Sequence, residues 1–299
     1  MQFTAKKSTI DRTKMVVRRS GTRALSTSVD FFTPRRAGRR TFDLWFTVPP
    51  RMTGTPLPEG AEPFTVYADG MEVRGHAWGS GPTVYLVHGW GGRGSQLAAF
   101  VEPIVGTGHR VVSFDAPSHG DSPDGTVGQG RSHGLELAKA LDAVFARFGP
   151  AEAVVAHSMG AIATYLALRF GWLGTRRLVL LAPMVEAETL FAQFQAALGF
   201  GPRTRRAFDG EVERLVGIPL AEFDALVQAS YVESVPTLVV HDTEDRQTPY
   251  EDARRLVAGL PDARMVTTHG LGHRRILRDP QVVAEVVDFV SREEAAAVA

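Results

Sequence analysis

The 299-residue chain contains no cysteine. That excludes disulfides, thiolate metal sites and a cysteine nucleophile, and it fits a reducing compartment. No apolar run reaches the ~18 residues that a membrane-spanning helix requires. The first residues also lack the apolar core of a secretory signal. A soluble, cytoplasmic protein is the expectation. Internal repeats and low-complexity tracts are absent too. What is present is a hydrophobic content of 44%, ordinary for a globular chain that buries a sizeable core.

The formal net charge of zero conceals an asymmetry. Residues 1–40 carry eleven Lys or Arg against two acids, a balance of +9, so the remaining 259 residues carry −9. One reading is a basic arm for an anionic membrane or a nucleic acid, or an Arg-, Ser- and Thr-rich transit peptide. The other is a leader whose later part packs on the acidic body through Phe31, Phe32, Phe42, Trp45 and Phe46. Five large rings are costly to leave in water, so residues 30–47 are expected to be docked. Neither nucleic acid nor stable membrane insertion is expected, and the sequence leaves the oligomeric state open.

Residues 48–63, with five prolines, read as a connector. Phe64–Tyr67 and Met71–Arg74 flank Asp69-Gly70, a hairpin signal. Short apolar runs then recur at Thr83–Val87, Arg110–Phe114, Ala153–Ala156, Arg177–Leu181, Pro236–Val240 and Arg264–Thr267. Most lack polar alternation, as expected of strands buried on both faces. Helix-like stretches lie between them at Arg131–Phe148, Ala161–Phe170, Tyr250–Ala258 and Pro280–Val290. The alternation predicts an α/β protein with a mostly parallel sheet and helices on both faces. Residues 185–232 break the rhythm with amphipathic pieces at Glu188–Leu198, Glu211–Val216 and Leu220–Ala229, and read as a small helical cap. The expected organisation is an extension and connector over 1–63, a core over 64–184 and 233–299, and the cap between.

Parallel sheets place their sites at the carboxyl ends of the strands, and four strand exits carry chemistry. Ala156-His157-Ser158-Met159-Gly160 sets a serine between small residues at a strand-to-helix turn, where larger flanking side chains would crowd the backbone. Val87-His88-Gly89-Trp90-Gly91-Gly92 is a glycine-rich turn able to aim a backbone amide at a substrate oxygen. His241 to Pro249 brings Asp242, Glu244 and Asp245 together, and His269-Gly270-Leu271-Gly272-His273 follows the last strand. A serine hydroxyl needs a neighbouring base to become a nucleophile, and the last segment offers His269 and His273, the former also readable as a histidine with no required task.

In their order of serine, acid and histidine, these segments resemble the α/β-hydrolase family. The segment Asp115-Ala116-Pro117-Ser118-His119-Gly120-Asp121-Ser122 strengthens the likeness. Ala156 stands where the usual pattern has glycine, and Asp242 where the acid loop has one. The resemblance covers residues 64–291 and implies an α/β-hydrolase fold. Its implied site is Ser158 as nucleophile, His273 as base, Asp245 as acid, and the amides of Met159 and of Trp90 or Gly91 as the oxyanion hole. Asp242, Glu244 and Glu186 remain rivals of Asp245, and Asp115 and His119 are expected to hold their turn. No cofactor is implied. The activity implied is hydrolysis of a small acyl substrate (a carboxylic ester, lactone or thioester), with perhydrolase or carbon–carbon cleavage by the same triad left open. A slow or non-catalytic ligand sensor on the same scaffold is the alternative.

Overall fold

A computed structural model of the chain describes residues 30, 32–49 and 55–292. Its sheet has eight strands: β1 (Glu62–Ala68), β2 (Met71–Trp78), β3 (Thr83–Val87), β4 (Arg110–Asp115), β5 (Ala151–His157), β6 (Leu178–Leu181), β7 (Thr237–Asp242) and β8 (Ala263–Thr268). They lie in the order β1-β2-β4-β3-β5-β6-β7-β8. The β1–β2 hairpin turns at Asp69 and Gly70, both with positive φ, the conformation that favours Asp-Gly in tight hairpins. β2 runs antiparallel to β4, and every pairing from β4 through β3 to β8 is parallel.

The apolar runs are strands because both their faces are covered. Every residue of β3, β6 and β7 is buried. Val84, Leu86, Val155, Val179, Leu238 and Val240 share one cluster with Phe100, Ile104, Val282, Val286 and Phe289. Helix Gly134–Phe148 buries Leu137, Leu141 and Val144, while helix Met159–Arg169 buries Ile162 and Leu166. The former begins at Gly134 rather than Arg131, because His133 is extended.

The chain divides into two compact units. One comprises Phe46–Ala187 and the chain from Glu222 onward, and holds the sheet. The other joins the chain up to Trp45 to Glu188–Ala221. In the second, residues 34–45 form a helix, Pro34–Trp45, that the sequence pattern did not foreshadow. Helix Ala187–Leu198 matches the expected piece, and helix Pro202–Val216 starts nine residues before Glu211, with proline in its first turn. The expected Leu220–Ala229 helix is broken. Asp224 is extended, pairs its backbone with Glu186, and caps a short helix, Ala225–Ala229, by accepting from the Leu226 amide.

Trp45 packs edge-on against Phe191 and Phe194, at 4.9 and 4.8 Å between ring centroids, and more loosely against Phe208. Its partners are therefore the aromatic rings of residues 188–221, within the acidic body on which the leader is expected to dock. Phe46 begins the other unit, edge-on to His133. Phe32 is exposed, and Phe31 lies outside the described residues. Gly38 allows the Pro34–Trp45 helix to approach the Pro202–Val216 helix, since a Cβ there would sit 2.6 Å from Ala207 Cβ. Asp30 completes this unit by accepting from the Thr204 amide at 2.6 Å. It supplies the cap that Gly201 cannot. Burial pushes the Asp30 carboxyl up, but the Thr204 hydrogen bonds outweigh it and hold the pKa below its usual value.

Candidate active site

Ser158 sits at the junction of β5 and helix Met159–Arg169 with φ 54° and ψ −120°. A non-glycine residue rarely adopts this backbone, and such strain persists only where the surroundings impose it. The Ser158 amide donates to Leu181 O, and its carbonyl accepts from Ala161 and Met184. Space around the turn is smaller than its sequence implies. A Cβ on Gly160 would lie 2.8 Å from the carbonyl oxygens of Val87 and His88, so even a methyl group collides there. Ala156, within β5, is accommodated and fully buried. Gly89 is constrained likewise, because a Cβ would come within 2.7 Å of Ser158 Cβ.

His273 lies in the short helix Gly272–Arg275 after β8. Its Nε2 is 3.0 Å from Ser158 Oγ, and its Nδ1 is 2.7 Å from Asp245 Oδ2. An ionised carboxylate only accepts, so Nδ1 carries the proton and Nε2 is free to accept from the serine. The Asp245 side chain is fully buried. Its Oδ1 accepts from the Gln247 amide at 2.7 Å, and its Oδ2 from Thr248 Oγ1 at 3.0 Å. Burial raises its pKa, but hydrogen bonds from His241 and His273, together with the charge of His273, outweigh that and keep the carboxyl ionised well below the usual range.

The rival acids have other partners. Asp242 accepts from Thr268 Oγ1, Leu271 N and Glu244 N, tying the acid loop to the histidine loop. Glu186 pairs with Arg255, and Glu244 is exposed. His269, also exposed, meets Thr243 Oγ1.

Three further side chains, not singled out by the sequence pattern, support this arrangement. His157 Nε2 donates to the His273 carbonyl at 3.0 Å. Burial, then the charge of His273, lowers the His157 pKa to about 3, so its ring is neutral. His241 directs Nε2 at Thr248 O and Asp245 Oδ2, two acceptors at 3.2 and 3.4 Å, which places its proton on that nitrogen. Thr248 Oγ1 lies 3.3 Å from His273 Nδ1. Their positions just before Ser158, Asp242 and Pro249 were the available signal.

On the other side of the serine, His88 joins two strand exits. Its Nε2 accepts from the Ala116 amide, and its Nδ1 therefore donates to Gly89 O. Burial lowers its pKa to about 4. Asp115 accepts from Gly94 N and Asp121 N, while His119 donates to Pro117 O and packs edge-on to Trp90 and tilted against His88. Both hold the turn, as expected. Among the described residues, the Trp90 and Met159 amides have no hydrogen-bond partner, and Met159 opens a helix whose first amides point outward. The contacts from Asp245 through His273 to Ser158 are of a kind that can activate a hydroxyl.

Comparison with known proteins gives the wider context. A search of curated proteins finds no match. Among solved structures, the chain is similar to an esterase from Pyrococcus furiosus, with TM-score 0.63, 18% identity, and coverage of 83% of this chain and 98% of that one. It is similar to a thioesterase domain from the curacin biosynthetic pathway, with TM-score 0.58, 18% identity, and coverage of 78% and 100%. A membrane phospholipase A described as a bacterial virulence factor gives TM-score 0.61, 18% identity, and coverage of 94% and 100%. Identities this low speak for the fold alone. The model of the alpha/beta hydrolase family, however, matches residues 84–286. A match across more than half of the chain shows that this protein belongs to the alpha/beta hydrolase family and is a hydrolase.

Proposed function

We propose that the protein is a serine hydrolase that cleaves a carboxylic ester, lactone or thioester through an acyl-enzyme intermediate. The observation that carries this reading is the unbroken series of contacts from Asp245 through His273 to Ser158. Ser158 Oγ attacks the carbonyl carbon as His273 Nε2 takes its proton. Asp245 holds the ring in its Nδ1–H tautomer and stabilises the imidazolium. The Met159 and Trp90 amides bind the oxyanion, each worth about 3 kcal/mol where such donors have been removed. The tetrahedral intermediate collapses, and His273 gives its proton to the leaving alcohol or thiol. Water then attacks the acyl-serine by the same route and regenerates the hydroxyl.

The test is turnover of a p-nitrophenyl ester series of rising acyl length, with intact mass followed in parallel. Multiple turnovers by the wild type, and a fall of at least ~10³-fold for Ser158→Ala and for His273→Ala, are expected. Tight binding with a single slow acylation would instead identify a ligand sensor.

A further inference from the structure

We infer that the exposed face of the Pro34–Trp45 helix is a docking surface for an anionic phospholipid bilayer. Arg35, Arg36, Arg39 and Arg40 are all exposed and share one side of the helix. Gly38 and Thr41, on the opposite side, are buried. The close approach of Gly38 to Ala207 and the packing of Trp45 fix which side faces out.

Several arginines elsewhere are paired, as in Arg169–Glu222, Arg177–Glu152, Arg205–Asp209 and Arg255–Asp224. No described residue forms an ion pair with Arg35, Arg36, Arg39 or Arg40. Asp43, the single acid of the helix, is half-buried. Arg35–Arg39 and Arg36–Arg40 are like-charge neighbours at i,i+4, a spacing that destabilises a helix unless an external anion offsets the repulsion.

A bilayer fits this surface better than a polynucleotide does. Phe32 is 77% exposed at one end of the arginine stripe, and Leu44 is 54% exposed at the other. A helix with apolar residues bordering a basic face lies in the headgroup plane, its apolar side chains reaching the acyl boundary. Phosphodiester backbones offer no such medium for a leucine side chain. Twelve residues are too few to span a membrane, so the contact is peripheral and reversible. Seven more Lys or Arg precede the helix in residues 1–29, with only Asp11 opposing them.

Flotation of the full chain with phosphatidylcholine vesicles, with and without phosphatidylglycerol, tests this. Binding is expected only with the anionic lipid and is expected to fall at high salt. A basic side chain near an anionic leaflet is worth roughly fivefold in partitioning. The combined change Arg35→Gln, Arg36→Gln, Arg39→Gln and Arg40→Gln is therefore expected to weaken binding ~100-fold or more. Phe32→Ser with Leu44→Ser is expected to weaken it about tenfold through lost apolar burial. All six positions are exposed, and unchanged thermal unfolding of the variants confirms that folding is intact. Equal binding to neutral vesicles would overturn the inference. So would binding that survives the arginine changes but is lost when residues 1–29 are deleted. Tighter binding to duplex DNA, insensitive to the Phe32 and Leu44 changes, would overturn it in favour of a nucleic acid.

Discussion

Acidification from pH 7 to pH 5 is expected to remove much of this protein's stability, and the cause lies around the active site. His88, His119 and His157 are buried, and burial, the main cause at each, lowers their pKa values to about 4, 3 and 3. In the unfolded chain each titrates near the ordinary ~6.5. Between roughly pH 6.5 and 4 the unfolded state therefore holds protons that the native state refuses. Stability rises with pH wherever the unfolded state binds more protons. The contribution is thus complete above pH ~6.5 and is lost as the pH falls toward the native values. At pH 5 each group costs about 2 kcal/mol, and the three together about 6 kcal/mol. A domain is stable by only about 5–15 kcal/mol. Asp245 does not contribute in this window, because its lowered pKa leaves it ionised in both states until the pH falls below ~4. Urea unfolding at pH 7, 6 and 5 measures the effect. His119→Asn, which keeps a donor for Pro117 O, is expected to reduce the loss between pH 7 and pH 5 by about a third, or ~2 kcal/mol. Stability unchanged within about 1 kcal/mol from pH 7 to pH 5 would refute the reasoning.

Other outcomes follow from the same contacts. Asp245→Asn leaves His273 without its orienting anion and is expected to lower kcat by ~10⁴, whereas Glu244→Gln and Glu186→Gln change it less than about twofold; steady-state ester hydrolysis separates them. Gly160→Ala drives a methyl group into two backbone carbonyls, and is expected to cost about 2–3 kcal/mol of stability in urea unfolding. Asp30→Ala removes the cap from the Pro202–Val216 helix and is expected to cost about 1 kcal/mol, seen as a lower unfolding midpoint.

The strand exits were legible in sequence because the constraint at each is local. A buried β-branched run ending in glycine or a small polar residue marks both the strand and its turn, as at Val87-His88-Gly89 and Ala156-His157-Ser158. The choice among Asp242, Glu244 and Asp245 was not local. The turn after β7 sends Asp242 toward Thr268 and Leu271, and Asp245 toward His273, a difference that three positions of spacing do not encode. His157 was hidden for a related reason, since its partner is a backbone carbonyl 116 residues away. In the Pro34–Trp45 helix, Ala37, Phe42 and Trp45 share the side of Gly38 and Thr41 but are spread among four arginines, so no continuous apolar run marks the element. Its apolar support comes from Ala207 and the aromatic rings of residues 188–221.

The central claim is that His273 and Asp245 make Ser158 a nucleophile. Intact-mass analysis after exposure to a fluorophosphonate probe tests it without any assumption about substrate. One adduct on the wild type, none on Ser158→Ala and almost none on His273→Ala is the predicted result. A folded wild-type protein that takes up no probe, or an adduct that persists on Ser158→Ala, would contradict it.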